Sequence, residues 1–327
     1  MRILIFGGGG FLGKRLALEL LKRESLSRAG EAAQDIRNVT VFDKILPSDF
    51  SGDHRLVRFE GDICDKSLIR SLLSEPVDII FHLAAIVSGE AEKNFDLGMR
   101  VNLHASLQML ELCRELKVNP IFVFASSCAV FGGDVSTTIY DNTAAVPQSS
   151  YGSQKAIVEL LINDYSRRGF IDGRVLRLPT IAIRPGKPNA ATSSFVSSII
   201  REPLQGKRAN CPVSPDTKIW ILSPSKVIED FIFAASLSAE TLGGNRIINL
   251  PGITTTVAEM VRSLEQVAGK KAVELIDWQP DAFIQSIVLT WPPTFAPERG
   301  EALGFKKDAS VRHIIDSFIE EELGQTK

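Results

Sequence analysis

The feature that most constrains this chain is a run of glycine directly behind an apolar segment at its start. Arg2-Ile3-Leu4-Ile5-Phe6 leads into Gly7-Gly8-Gly9-Gly10-Phe11-Leu12-Gly13, in which Gly7, Gly10 and Gly13 fit the spacing G-x-x-G-x-x-G. A tight turn needs a residue without Cβ, and a diphosphate must come close to bare backbone amides at a helix N-terminus. The last glycine lets helix and strand pack closely. Glycine runs also occur in flexible turns that bind nothing. Here the run sits between an apolar strand and an amphipathic stretch, which points to nucleotide binding. Gly7, Gly10, Phe11, Leu12 and Gly13 are therefore candidate cofactor-binding residues.

The rest of the first half repeats that strand-then-helix rhythm. Short apolar runs at Arg2–Phe6, Val39–Phe42, Leu56–Phe59, Asp78–Phe81, Ile121–Phe124 and Val175–Leu178 alternate with stretches of helical spacing at Phe11–Lys22, Lys66–Leu73, Gly98–Leu116 and Tyr151–Arg167. Apolar runs without alternation suit strands covered on both faces. The reading is an α/β protein with a doubly wound parallel (Rossmann) sheet and helices on both faces, residues 1–180 forming the dinucleotide domain. The polar segment Glu24–Asn38 reads as a surface insertion with no detectable chemistry.

After Thr180 the character changes. Prolines and small polar residues collect between Arg184 and Ser194, which excludes one continuous helix and marks entry into a smaller substrate-binding region, 181–327. Helices at Phe195–Arg201, Ser225–Ala239 and Val257–Ala268 and a strand at Arg246–Leu250 are expected there, with an irregular Pro-rich stretch between the first two helices. The chain is expected to return to the first domain near residues 225–250.

Charge and cysteine content remove several classes. The 327 residues carry 37 basic and 39 acidic side chains, a net charge of −2, and no Lys/Arg clusters. Nucleic-acid binding needs a basic face, so none is expected. No segment approaches about 18 uninterrupted apolar residues, and the apolar start is too short for a secretory signal, so a cytoplasmic protein without membrane contact is expected. Cys64, Cys113, Cys128 and Cys211 show neither CxxC nor Cys/His ligand spacing. They read as buried free thiols, with no metal site.

Asp43 ends the second strand, where a carboxylate can accept both ribose hydroxyls of adenosine and repel a 2′-phosphate. This favours NAD over NADP, although a solvated turn residue is the alternative and Lys44 softens the discrimination. Asp62-Ile63 and Leu83-Ala84-Ala85 follow the third and fourth strands, at the carboxyl ends where open α/β sheets bind ligands. Asp62 suits the adenine amino group and Ile63 the face of its ring. His82, surrounded by an apolar strand, reads as a core residue.

Tyr151-Gly152-Ser153-Gln154-Lys155 is Y-x-x-x-K, which puts phenol and ammonium on one helix face. On a solvated face the pair would carry no chemistry; its weight comes from Ser126-Ser127 at the end of the fifth strand and from the glycine turn upstream. Taken with Asn102, Leu178-Pro179-Thr180 and Ala302-Leu303-Gly304-Phe305, these motifs resemble the extended short-chain dehydrogenase/reductase family over nearly the whole chain. The resemblance implies that Tyr151 is the general base, that Lys155 binds the nicotinamide ribose and lowers the tyrosine pKa, and that Ser127 hydrogen-bonds the reacting oxygen. It also implies that Asn102 holds the helix and a relay water, with a capping or core-satisfying asparagine as the alternative, and that Pro179 and Thr180 join the cofactor contacts. Free tyrosine titrates near about 10, and a cation about 4 Å away at an effective dielectric of 20 contributes on the order of 4 kcal/mol. That is roughly three pKa units, enough to bring the base toward working pH. Tyr140 and Tyr165 lack a lysine four residues on and read as structural.

Nucleotide-sugar members of that family carry Arg-Asp-Tyr/Phe before the returning helix. Here the stretch is Lys218-Ile219-Trp220-Ile221-Leu222-Ser223-Pro224-Ser225, which lacks the arginine. The segment from Arg177 through Ala191 and on to Leu204 resembles a branch that oxidises a four-carbon sugar acid, D-erythronate, at C2 with NAD to give the 2-keto acid. Such a substrate needs a cation for its carboxylate and short polar side chains for its hydroxyls. Arg184 and Arg201 are candidates for the first, each as readily a solvated charge; Ser88, Asn189, Thr192 and Ser193 are candidates for the second, Ser88 ranking first. An NAD-dependent dehydrogenase acting on a small sugar acid is thus expected. The alternatives are a nucleotide-sugar epimerase or dehydratase with tightly held NAD, and an NAD(H) sensor without turnover, which would have no use for Ser127, Tyr151 and Lys155. The helices at Gly98–Leu116 and Tyr151–Arg167 have the apolar content for a homodimeric four-helix bundle, and intramolecular burial would give the same pattern.

Overall fold

The computed structural model describes residues 1–50, 52–133, 138–186, 191–292 and 294–324. The chain divides into two compact units: residues 1–127, 149–177 and 228–248 make the first, and 128–148, 178–227 and 249–327 the second.

The first unit is built on seven strands: β1 (Arg2–Phe6), β2 (Asn38–Asp43), β3 (Leu56–Glu60), β4 (Ile79–His82), β5 (Ile121–Ser127), β6 (Asp172–Leu178) and β7 (Ile247–Asn249). Their order across the sheet is β3-β2-β1-β4-β5-β6-β7. The pairs β1–β2, β1–β4, β2–β3 and β4–β5 are all parallel. This is the doubly wound sheet that the alternation predicts. Strand order reverses between β1 and β4, which opens a crevice at the carboxyl ends of those strands. β4 is buried at every position, which is why its sequence shows no polar alternation.

Six helices of this unit precede β6: α1 (Phe11–Leu21), α2 (Lys66–Leu73), α3 (Ser88–Lys93), α4 (Phe95–Gly98), α5 (Ala105–Leu116) and α6 (Ser150–Arg167). Local chemistry sets where they begin. The Asp65 carboxylate accepts from the amides of Ser67 and Leu68 to start α2, and the Ser149 hydroxyl accepts from Gly152 to start α6. The single helix expected over Gly98–Leu116 is interrupted: a π-helical turn, Met99–His104, joins α4 to α5. Such turns concentrate at functional sites, and this one contains Asn102.

The insertion Glu24–Asn38 is more than a polar loop. It carries a short antiparallel hairpin, Ser25–Leu26 with Gln34–Asp35, and its turn amides at Ala29 and Gly30 donate to the carbonyls of Ala235 and Ser236 at the end of α7 (Pro224–Ser236). The same helix end is held by Arg174, whose side chain is fully buried. Its Nε donates to the Ala234 carbonyl at 2.9 Å, Nη2 to Leu237 at 2.6 Å and Nη1 to Asp172 at 2.6 Å. Asp172 balances the charge at 2.7 Å and also binds Arg246. Orphan carbonyls at a helix C-terminus are thus satisfied by a guanidinium and two loop amides.

The second unit has its own core. A three-stranded sheet joins Thr180–Ile181, Lys218–Leu222 and Ile253–Thr256 in that order, the first pair parallel and the second antiparallel. Lys218–Leu222 lies in the stretch expected to be irregular. Helices Ser194–Leu204, Val257–Ala268 and Val311–Phe318 bury Val196, Ile199, Ile200, Met260, Leu264, Ile314 and Phe318 with Ile219 and Ile221 of the sheet. Thr256 and Glu259 form a reciprocal capping box that starts the second of these helices.

All four cysteines are free; Cys113 and Cys211 are buried as expected, whereas Cys64 and Cys128 are half-buried. Among the described residues no helix is long and apolar enough to cross a membrane, and no group of three or more His, Cys, Asp or Glu side chains is placed to hold a metal ion.

Replacing Arg174 with methionine removes the cap while keeping much of the volume, leaving the carbonyls of Ala234 and Leu237 without that donor and the Asp172 carboxylate with Arg246 as its remaining ion-pair partner. Urea denaturation followed by circular dichroism is expected to report a loss of about 3–5 kcal/mol; a loss under about 1 kcal/mol would contradict this account of the helix end.

Candidate active site

The glycine turn comes first. Gly7 has a φ of +85°, and a Cβ there would meet the Ala84 amide nitrogen at 2.6 Å; a Cβ on Gly13 would run into the Gly7 carbonyl. The turn closes through Gly10 N–H to the Gly7 carbonyl at 3.1 Å, and α1 begins one residue later. No side chain caps Gly10, and no carboxylate occupies the first turn of α1. The helix end thus lacks a side-chain cap and a carboxylate in its first turn, the arrangement that binds a diphosphate. Phe11 and Leu12, half-buried, form the start of the helix.

Beside the turn lies a cleft of about 290 Å³ lined by Gly7, Gly10, Asp43, Asp62, Ile63, Leu83, Ala84 and Ala85, together with Lys44, Ile86 and Arg100. The Asp43 carboxylate is fixed by two backbone donors, Gly9 N–H at 3.0 Å and Lys44 N–H at 2.7 Å. Fixed there, it presents a negative charge at the lip of the glycine turn. Asp62 accepts from the Cys64 amide at 2.9 Å; that hydrogen bond holds its carboxyl below the usual range, so it is an acceptor at neutral pH. Asp43 and Asp62 thus line one cleft beside the Cβ-free turn. These residues fit NAD.

The Tyr151/Lys155 pair lies in the first turns of α6. Because Ser149 caps the helix, Tyr151 falls in its first turn, near the positive end of the helix dipole. Lys155, one turn further, is 2% exposed. Its Nζ donates to the Ala125 carbonyl of β5 at 2.8 Å and lies 4.5 Å from the centre of the Phe124 ring and 5.6 Å from that of Tyr151. Burial pulls the ammonium down to about 7, opposed by the charge of Glu159. Ser127 is the last residue of β5, two residues beyond the carbonyl that Lys155 holds.

Asn102 projects from the π turn. Its Oδ1 accepts from the Ile86 amide at 2.8 Å, and its Nδ2 donates to the Ile86 carbonyl at 3.1 Å and to Gln154 Oε1 at 2.7 Å. One side chain thus pins the loop after β4 and touches the residue beside Lys155. That loop runs from the cleft wall to Ser88, which opens α3 and is half-buried. His82 is fully buried and hydrogen-bonds Ser106 Oγ at 2.8 Å, while Ser106 donates to the Asn102 carbonyl at 2.7 Å. Because Ser106 gives its proton to a carbonyl, His82 donates through Nε2. Burial pushes its pKa down to about 3, so it is neutral, a core residue as the sequence suggests.

The remaining candidates belong to the second unit. Pro179 and Thr180 lie on either side of a strand start, Thr180 pairing with Ile221. Arg184 is half-buried, with Nε on the Ile181 carbonyl at 3.2 Å and Nη2 at 3.5 Å from Ser193 Oγ. Arg201 is 2% exposed; its Nη1 donates to the Arg184 carbonyl at 2.6 Å and its Nη2 to Glu202 at 2.5 Å. Thr192 is buried at 9% exposure, and Asn189 lies outside the described residues. The sequence reading named Ser126 and Arg177 only as parts of motifs and missed the buried group they form with Glu159. Its one signal was spacing, since Glu159 continues the Tyr151/Lys155 face by another four residues.

Residues 3–237 match the model of the NAD dependent epimerase/dehydratase family. The chain is 49% identical over 321 residues to a D-erythronate dehydrogenase of Cupriavidus necator, covering 98% of each chain. It is 45% identical over 323 residues to a D-erythronate dehydrogenase of Haemophilus influenzae, covering 99% of this chain and 100% of that one. A crystal structure described as a nucleoside-diphosphate-sugar epimerase from Agrobacterium tumefaciens superposes with a TM-score of 0.93 at 41% identity, covering 100% of this chain and 95% of the other.

Gly13→Ala is expected to raise the Kd for NAD by about tenfold or more, about 1.4 kcal/mol, in calorimetric titration. Gly244→Ala, where an added Cβ meets nothing within 4 Å, should leave the Kd unchanged. Equal affinity for NAD in the two variants would contradict the role given to the turn.

Proposed function

The chain belongs to the NAD dependent epimerase/dehydratase family, and from that premise we propose that it oxidises D-erythronate at the C2 hydroxyl to 2-dehydro-D-erythronate. What carries the reading is the identity of 49% and 45%, over essentially the full length, with D-erythronate dehydrogenases of two different organisms.

NAD, when bound, supplies the acceptor for the hydrogen leaving C2. The chain's own residues handle the proton. The C2 hydroxyl lies between Ser127 and Tyr151; Ser127 hydrogen-bonds the oxygen and Tyr151 takes its proton. The Lys155 ammonium and the N-terminal dipole of α6 both favour the phenolate form of Tyr151, so the base works near neutral pH. Asn102, gripping Ile86 and Gln154, keeps the loop that ends at Ser88 in register with that pair. Ser88 and Thr192 suit the substrate hydroxyls. For the carboxylate we assign Arg184, which is half-buried where Arg201 is 2% exposed. A cytoplasmic homodimer completes the reading, supported by the exposed Ile157 and Leu160 on α6.

One observation favours a second reading, the likeness to the structure described as a nucleoside-diphosphate-sugar epimerase. The two are separable because a dehydrogenase must release NADH at each turnover and an epimerase regenerates NAD in place. Purified protein given D-erythronate and NAD is expected to accumulate NADH, read by absorbance. Tyr151→Phe should lower kcat/KM by about 10²–10⁴-fold while NAD affinity stays within about twofold. Failure to form NADH, with epimerisation of a nucleotide sugar instead, would overturn the proposal; binding of NAD without either reaction would point to a sensor.

A further inference from the structure

α6 lays three polar side chains along one face: Tyr151, Lys155 and Glu159. Only the first two enter the reaction proposed above. Glu159 is 1% exposed, so a buried carboxylate stands one helical turn from a buried ammonium. It is spent elsewhere. Arg177 on β6, 7% exposed, holds it in a fork: Nε lies 3.0 Å from Oε1 and 3.1 Å from Oε2, and Nη2 lies 2.7 Å from Oε2. Ser126 Oγ donates to the same carboxylate. Ser126 stands between Ala125, whose carbonyl takes Lys155 Nζ, and Ser127, the candidate partner of the reacting oxygen.

A buried ion pair is a poor device for stability alone, since an apolar pair of equal volume usually packs as well or better. Its place here suggests another use. We propose that Glu159 and Arg177 are positioning residues acting through Lys155: tied to β5 by Ser126, the pair fixes α6 against the strand end and supplies the balanced counter-charge beside which the ammonium is held. The titratable and charged groups around Lys155 are Tyr151 and Glu159 from its own helix, His82 from β4 and, behind Glu159, Arg177 from β6. His82 is neutral and adds no charge. Glu159 therefore opposes the desolvation of Lys155, and Arg177 limits how far it does so. With too strong a counter-charge the proton on Lys155 would be fixed, and with none it would be lost at working pH.

The inference rests on Tyr151 and Lys155 being the reacting pair, yet its test needs neither substrate nor turnover. The full chain, carrying isotopically labelled lysine, is titrated by NMR, with the Lys155 signal assigned by its absence in Lys155→Met. Glu159→Gln removes the carboxylate and leaves Arg177 uncompensated, so the Lys155 midpoint should fall by about one pH unit. Arg177→Gln leaves the carboxylate facing Lys155 alone, and the midpoint should rise by a similar amount. The double variant, neutral in both positions, should return close to wild type. Shifts of the same sign in both single variants, or none in either, would overturn the inference, because a purely structural pair gives no opposed response. Should a single variant not fold, Ser126→Ala decides: it keeps the ion pair and removes one donor from the carboxylate, so the midpoint should rise, and an unmoved midpoint would overturn the inference. If the midpoints stay fixed while D-erythronate still yields NADH, only the role of the pair falls.

Discussion

Lys155 carries its amino group into the interior of the first unit, where Nζ donates to the Ala125 carbonyl at 2.8 Å and lies 4.5 Å from the centre of the Phe124 ring. Loss of hydration at such a site is expensive for an ammonium, and one carbonyl with one aromatic face replaces it only in part. That imbalance brings its pKa to about 7, so the residue sits where its charge responds to its neighbours. Much of the site follows from where the contact must be. α6 has to start close to the end of β5, the Ser149 cap sets that start, and Tyr151 then falls in the first turn with the helix dipole behind its phenol.

The cofactor end obeys a different constraint, steric rather than electrostatic. Gly7 holds a left-handed φ against the Ala84 backbone, and Gly13 crosses the Gly7 carbonyl; side chains at these places would fill the space beside the amides. Asp43, held by two backbone donors, adds a fixed carboxylate beside the turn. The two ends are joined within the first unit by the loop after β4. Its Leu83–Ala85 segment lines the cleft, and Ile86 is gripped on both sides by the Asn102 amide.

Sequence made much of this legible where a single local rule governs. α2 spans Lys66–Leu73 as its periodicity predicts, and the Asp65 cap explains why it begins there. The glycine spacing and Y-x-x-x-K were readable because each is a short-range demand of the chemistry. What stayed hidden depends on partners far along the chain. The apolar pattern of Gly98–Leu116 is indifferent to whether a turn is α or π, so the turn that carries Asn102 left no mark in it. Glu24–Asn38 looked inert because the carbonyls it caps, at Ala235 and Ser236, lie in a distant helix. Arg177, on a strand that also carries Asp172 and Arg174, gave no sign of its partner Glu159. Arg201 reads as a ready cation in sequence, whereas burial spends its guanidinium on Glu202 and a carbonyl.

The central claim is that Tyr151 and the buried Lys155 organise the departure of the C2 hydrogen to NAD as a hydride. D-erythronate deuterated at C2 tests it most directly, with the deuterium followed by mass spectrometry of the released cofactor and by the rate of turnover. The account predicts NADH that carries the deuterium and a slower turnover for the labelled substrate. Deuterium found in water, or kept on a sugar product with no label in released NADH, would contradict it.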